Sequence, residues 1–212
     1  MDTNKEIIAA FDFDGTLTQC DTLSLFIIHT LGWCRFIGGI LVLSPVIVAY
    51  LLHLISNDKA KRILFSHFFK DMDYNTFCSY GNSFSTKIES IINKPAIEQL
   101  QEHKKHGHKI YIVSASMQEW IRPWANLYQI DKVITTIVEV NDANKLTGKF
   151  ITPNCYGEEK VKRFTETEPI RSSYYLYAYG NSGGDVPLLK FADSGKLFKV
   201  NITQRINTFL NK

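Results

Sequence analysis

A five-residue apolar run that stops at two acids constrains this chain more than any other stretch: Ile7-Ile8-Ala9-Ala10-Phe11, then Asp12-Phe13-Asp14-Gly15. A nearly continuous apolar run, without alternation, fills a strand covered on both faces, which is the habit of parallel sheets. Strand side chains two residues apart point the same way. Asp12 and Asp14 are therefore presented together at the carboxyl end of the strand, where Gly15 lets the chain turn. In open α/β sheets ligands bind at such ends. Two unpaired like charges there are costly, which points to a cation joining them. The plainer alternative, one Asp capping the next helix beside a solvated second Asp, is outweighed by how well the motif fits its strand–turn–helix context.

With 212 residues the chain has room for one ordinary core and a small insertion. Hydrophobic content of 45% and charged content of 21% describe a globular protein. A net charge of +3, carried by scattered basic residues, gives no footprint for nucleic acid. Cys20, Cys34, Cys78 and Cys155 lie far apart with no CxxC pair, and the acidic Met1–Glu6 start does not read as a leader. Reduced thiols and a cytoplasmic location are the expectation, with the inner face of the membrane as a peripheral site.

After the first strand, Asp21 or Thr22 caps a helix that runs to Gly32. The stretch from Phe36 to Ile55, FIGGILVLSPVIVAYLLHLI, holds no Lys, Arg, Asp or Glu and has the length of a membrane span. A single crossing would separate Asp12 from everything after about Asn57, and Ser44-Pro45 breaks helical hydrogen bonding at its middle. Two short helices that meet at that break fit better. They form either the buried centre of a helical insertion or a hairpin that dips into a membrane surface. Asp58 to Lys70 follows as an amphipathic basic helix, either a solvated face or a surface for acidic head groups. A further helical pattern covers Tyr74 to Asn93, with Gly81 as a local weak point.

From Pro95 the rhythm is βα. Pro95 opens a helix and Gly107 ends it. His103, His106 and His108 in its last turn complement the helix dipole, and their spacing matches no metal-ligand signature. KIYIV (Lys109–Val113) is a strand that ends in Ser114-Ala115-Ser116. A helix through Trp120 and Trp124 is kinked at Pro123. Short strands are expected at 131–135, 137–140 and 146–151, then a helix over 157–167. YYLYAY (Tyr174–Tyr179) is a strand closed by Gly180-Asn181-Ser182-Gly183-Gly184-Asp185, with a helix from Pro187 and a last strand over Leu197–Val200.

Three strands thus end in polar residues, and a helix bearing Lys160 precedes the third. The order DFDGT, VSAS, lysine, YGNSGGDVPLL resembles the phosphoserine-phosphatase-like branch (subfamily IB) of the haloacid dehalogenase superfamily. The resemblance implies a Rossmann-like three-layer α/β core with a parallel sheet, over 1–20 and 91–212, and an all-helical cap inserted at 21–90. It implies a Mg2+-dependent phosphomonoester hydrolase in which Asp12 is the nucleophile and forms an aspartyl-phosphate. Asp14 is then the general acid/base, and Ser114 and Lys160 hold the phosphoryl group. Mg2+ would be bound by Asp12, the Asp14 carbonyl, Asn181 and Asp185, and substrate by Gly15, Thr16, Ala115 and Asp21. Asp21 also reads simply as a helix cap. Lys160 is preferred over Lys162 because CYGEEK resembles the family's approach to its lysine. The last motif usually has Asp where this chain has Asn181, which removes a charge from the metal site and implies weaker Mg2+ binding. The uncharged 36–55 stretch and the Tyr156–Lys160 and Gly180–Leu189 motifs also resemble bacterial phosphatidylglycerophosphatases of this branch. The substrate is accordingly a small soluble phosphate or a lipid phosphate, with peripheral membrane contact through 36–55. The rival is a degenerate member that binds phosphorylated ligands or a membrane without turnover.

Overall fold

The computed structural model describes residues 5–198. Its sheet has five parallel strands: β1 (Glu6–Phe11), β2 (Lys109–Met117), β3 (Lys132–Thr136), β6 (Tyr174–Gly180) and β7 (Ser194–Leu197), in the order β3-β2-β1-β6-β7. β1 is central and fully buried from Ile8 to Phe11, as its unbroken apolar run requires. The chain pairs β2 on one side of β1 and β6 on the other. The crevice between β1 and β6 is therefore a topological switch point, with Asp12 directly above it. Two apolar layers cover the faces: Phe11, Ile110 and Ile112 on one side, and Ile8, Ala10, Tyr111, Val113 and Leu176 on the other.

Between β1 and β2 lie α1 (Thr22–Val42), α2 (Ser44–Leu51), α3 (Asn57–Phe69), α4 (Tyr74–Glu89) and α5 (Lys94–Lys105). Asp21 caps α1, its Oδ1 accepting the N–H of Leu23 at 2.7 Å and of Ser24 at 3.2 Å. At Gly32 (φ 79°, ψ 166°) the helical path breaks, at the residue where the sequence ends its first helix. α1 has the length and composition to cross a membrane. Its first half, however, is core: Thr22, Leu23, Phe26 and Ile27 are buried, and Phe26 stacks on Trp120 with ring centroids 4.4 Å apart.

Beyond Gly32 the buried reading of 36–55 fails. α2 has no buried residue, and Ile37, Leu41, Val42, Leu51, Leu52 and Leu54 are exposed. The inner side of this part of α1 rests on α3, where Phe36 stacks on Phe68 and a Cβ at Gly39 would lie 2.3 Å from the Phe68 ring.

The remaining elements are α6 (Gln118–Leu127), β4 (Val138–Val140), β5 (Leu146–Phe150), α7 (Glu158–Thr167) and α8 (Val186–Phe191). Several expectations shift. β2 runs past Val113 to Met117, because a bulge between Ser114 and Met117 restores pairing with β3. The helix expected to reach Asn93 stops at Glu89, where Ile92 bridges to Thr18. Gly81 is a close approach, not a weak point: a Cβ there would sit 2.0 Å from the Glu119 carbonyl oxygen. His103 does not stay at the helix surface. It is buried, its Nδ1 2.7 Å from His108 Nδ1 and its Nε2 2.7 Å from the Tyr179 hydroxyl, and burial pushes its imidazole down to about 4. The last strand is Ser194–Leu197, and residues 199–200 of the expected one lie outside the described residues.

The β4–β5 hairpin leaves the main sheet and pairs antiparallel. It packs on α3 and is tied to the α3–α4 turn by backbone bonds from Asp71 N to Leu146 O (2.8 Å), Leu146 N to Met72 O (2.9 Å) and Tyr74 N to Asn144 O (2.9 Å). Cys34, Cys78 and Cys155 are free thiols, and Cys20 is buried.

Candidate active site

Asp12 leaves β1 with its N–H still bonded to the Tyr179 carbonyl of β6 (2.8 Å), so its carboxylate stands at the switch point. Lys160, on the first turn of α7 and 1% exposed, reaches the same place from the other side of the sheet. Its Nζ lies 2.6 Å from Asp12 Oδ1 and 2.6 Å from Asp185 Oδ1. Lys162 instead faces outward, 3.9 Å from Glu159. The two lysines part because α7 turns about 200° between them, and only the first faces the sheet.

The two carboxylates that share Lys160 differ in their other partners. Asp185 Oδ2 accepts three more hydrogen bonds, from Asn181 N (3.0 Å), Ser182 N (2.9 Å) and Ser182 Oγ (2.8 Å). Burial alone would raise Asp185, but Lys160 and these donors hold it below the ordinary range. Among the described residues Asp12 has the Thr16 hydroxyl besides Lys160, at 3.0 Å from Oδ2. Burial, with Asp185 and Asp14 adding to it and Lys160 opposing, pushes Asp12 up to about 7. Burial pulls Lys160 down, and the two carboxylates more than offset this, keeping the ammonium above its usual range.

Asp14 sits in the turn Phe13–Leu17, where Gly15 takes φ 78°. Its Oδ1 accepts from Thr22 N (2.7 Å) and Thr22 Oγ1 (2.6 Å), and its Oδ2 from the Ser116 hydroxyl. Trp120 Nε1 donates in turn to Thr22 Oγ1 at 3.0 Å. Burial and the charge of Asp21 raise Asp14, while Ser116, Thr22 and Lys61 draw it back.

These acids floor a cavity of about 360 Å³. Asp12, Asp14, Asp21, Ala115, Lys160 and Asp185 line it, and Leu23, Leu43, Val46, Ile47, Tyr50 and Leu64 form its apolar wall. Asp21 thus caps α1 and borders the cavity at once. Lys61 enters from α3, donating to the Ala115 carbonyl at 2.8 Å, and burial lowers its ammonium against the pull of Asp21 and Asp14. Four expected site residues do not line the cavity. Ser114 is buried, its Oγ accepting the N–H of Ser116 (3.0 Å), so Ala115 makes the wall at that point. Gly15 N donates to Thr18 Oγ1 (3.2 Å), and Thr16 braces Asp12. Asn181 receives the Thr16 hydroxyl on Oδ1 at 3.4 Å.

Sequence reasoning missed Lys61, Thr22 and Ser116. A signal for the first existed: Asn57, Ala60, Lys61 and Leu64 fall at i, i+3, i+4 and i+7, one face of a helix, and all four line the cavity.

Among the described residues no three His, Cys, Asp or Glu side chains converge as a metal cage. A small hard cation still fits the donor set at the switch point. Asp12 and Asp185 offer carboxylate oxygens, the Asn181 amide oxygen lies 3.4 Å from the Thr16 hydroxyl that donates to Asp12, and two buried carboxylates share a single ammonium, leaving negative charge uncompensated.

The sequence over residues 9–190 matches the haloacid dehalogenase-like hydrolases. The chain belongs to that family. It is an enzyme of the haloacid dehalogenase-like hydrolase kind, and the protein CicA of Caulobacter vibrioides is 28% identical to it over 193 residues, spanning 90% of this chain and 85% of CicA. Two solved structures share the fold. A protein of unknown function from Bordetella pertussis Tohama I superposes with a TM-score of 0.75 at 17% identity, over 98% of this chain and 96% of the other. A phosphoserine phosphohydrolase-like protein from Francisella tularensis gives 0.68 at 17% identity, over 96% and 92%. The Rossmann-like core with inserted helices is thus the arrangement of phosphoserine-phosphatase-like hydrolases of the haloacid dehalogenase family.

Proposed function

We propose that this hydrolase is a Mg2+-dependent phosphomonoesterase that works through an aspartyl-phosphate on Asp12, and that its substrate is the phosphate ester of an apolar alcohol. The coarser statement, a phosphatase, agrees with the family and the fold. The observation that carries the reading is the buried Lys160 ammonium held 2.6 Å from both Asp12 and Asp185 at the carboxyl edge of the sheet, with Asp14 beside them.

A carboxylate that attacks phosphorus splits one hard displacement into two easier ones. A bond forms from an Asp12 oxygen to phosphorus as the ester P–O bond breaks, and Asp14 gives the leaving oxygen its proton. Asp14 then takes a proton from water, whose oxygen displaces Asp12 and releases inorganic phosphate. Lys160 offsets the charge of the incoming phosphoryl group from one side of the cavity, and Lys61 brings a second cation from the cap. Asp12, the Asp14 carbonyl, Asn181 and Asp185 would hold Mg2+, which would supply further positive charge between the two anions.

The apolar wall supports the choice of alcohol. Leu23, Leu43, Val46, Ile47 and Leu64 stand over the acids, and a polar metabolite such as phosphoserine would leave them facing charge. The test is hydrolysis of an aryl phosphate and of a panel of phosphate esters, with Mg2+ and with EDTA. We expect Mg2+-dependent turnover that Asp12→Asn abolishes, and kcat/KM that rises with the chain length of an alkyl phosphate. Absence of turnover across the panel would favour a member that binds without hydrolysis, the reading that Asn181 motivates. A preference for phosphoserine would refute the apolar alcohol.

A further inference from the structure

We infer that the two helical stretches following Gly32, the end of α1 and the whole of α2, seat the enzyme on an anionic lipid bilayer surface. For what the surface delivers to the cavity, this rests on the phosphomonoesterase reading. The binding itself is observable without turnover. Ile37, Leu41, Val42, Leu51, Leu52 and Leu54 are exposed, Leu41 by 69% and Leu52 by 63%, which is far more contiguous sequence than scattered surface leucines explain.

Three features choose a bilayer as occupant. First, α2 (SPVIVAYL) carries no charged residue and has no fully buried one, and the sides turned away from the cavity, at Val48 and Leu51, are apolar and exposed. A protein partner covers one stripe of a helix and leaves a polar face behind, whereas a lipid phase accepts an apolar surface all round. Second, the charge is one-sided. No Asp or Glu occurs from residue 22 to 57, while exposed Arg35 lies within the stretch and exposed Lys59 just after it, and Asp58 is paired with Arg62 at 2.7 Å. Basic side chains flanking an apolar surface match acidic head groups. Third, the stretch is continuous with the active site. Leu43, Val46, Ile47 and Tyr50 line the catalytic cavity, while Val42, Val48 and Leu51 on the same helices are exposed. A second cavity, of about 570 Å³, is bounded by Leu51, His53, Leu54, Ile55 and Ser56 and shares Tyr50, Asn57 and Tyr156 with the first. Along α2, Leu43, Val46 and Ile47 carry this apolar surface up to the acids.

The length limits the contact to one leaflet. The part of α1 after Gly32 is about 15 Å long and α2 about 12 Å at 1.5 Å per residue, against a hydrocarbon core of about 30 Å.

The test is co-sedimentation with vesicles of phosphatidylcholine, alone and mixed with phosphatidylglycerol, together with Trp33 fluorescence. Trp120 and Trp124 are fully buried while Trp33 is exposed, so quenching by brominated acyl chains reports Trp33, and Trp33→Phe removes that signal. We expect binding that strengthens with phosphatidylglycerol, and a loss of about tenfold or more in partitioning for Leu41→Glu and Leu52→Glu. Both positions lie outside the cavity wall, so turnover of a soluble aryl phosphate stays at the wild-type level. Wild-type protein that stays in the supernatant, or glutamate variants that bind as wild type, would overturn the inference. Equal binding to phosphatidylcholine alone would overturn the anionic surface. A dimer in light scattering that Leu41→Glu dissociates would give the face to a second copy instead. Intact binding with no hydrolysis would support the docking while removing the phosphomonoesterase reading.

Discussion

Asp12→Asn should make the metal-free protein more stable at alkaline pH while destroying its activity. Burial raises the Asp12 carboxyl from 3.8 to about 7, despite Lys160 at 2.6 Å. At about 1.36 kcal/mol for each pH unit, that rise is a penalty of at most about 4 kcal/mol for holding the charged form in the folded state. The folded chain binds more protons than the unfolded one between about pH 4 and pH 7, so stability falls as pH rises through that window. An amide in place of the carboxylate does not titrate, keeps an oxygen for Lys160 to donate to, and leaves the Lys160–Asp185 pair intact. The attraction to Lys160 is already counted in that rise, where it opposes burial. The net gain at pH 8 is then at most about 4 kcal/mol, a Tm increase of up to about 8–16 °C for a chain of this size. The measurement is thermal melting of both proteins in EDTA at pH 5 and pH 8. The advantage of the variant should grow from the lower pH to the higher, and excess Mg2+ should close the gap by stabilising wild type alone. A variant less stable than wild type at pH 8 in EDTA, or a difference that ignores pH, would refute this account of Asp12.

Lys160→Met leaves two buried carboxylates facing each other, so we expect loss of turnover together with about 3–5 kcal/mol of stability, read by urea denaturation. Asn181→Asp adds a charge to the cation site and should lower the Mg2+ concentration for half-maximal activity by roughly tenfold, since cation affinity follows ligand charge. Gly81→Ala forces a methyl group to 2.0 Å from the Glu119 carbonyl, a backbone atom that no rotamer change can move, and should cost about 1–3 kcal/mol in the same denaturation assay.

The parts of this molecule that were legible from the chain are those that local pattern controls. β1 reads from its apolar run, and its two acids fall at the strand end because nothing else in that register tolerates charge. Asp21 as a cap, the break at Gly32 and the start of α2 at Ser44-Pro45 are all written in residues that act on their own backbone. Of Lys160 and Lys162 only the first is buried, because an amphipathic helix turns one of them to the sheet and the other to solvent. What escaped depends on contacts between distant segments. Lys61 counts as one more basic residue until α3 is laid across the Ala115 carbonyl. Ser116, not Ser114, reaches Asp14 because of a bulge that no residue in VSAS announces. The burial of His103 requires Tyr179, 76 residues away, to supply a partner.

The stapling of the β4–β5 hairpin to the α3–α4 turn has a mechanical consequence. A lid joined to its base by two strands of chain can swing as a rigid flap. Here the three main-chain bonds from Asp71, Leu146 and Tyr74, with Arg62 reaching the Phe150 and Thr152 carbonyls at 3.3 and 3.1 Å, add a third anchorage. Rigid-body swinging would have to shear all of these together. The wall that α3 gives the cavity, with Lys61 and Leu64, is therefore fixed to the hairpin, and α1 beyond Gly32 leans on that same fixed helix through Phe36 and Gly39.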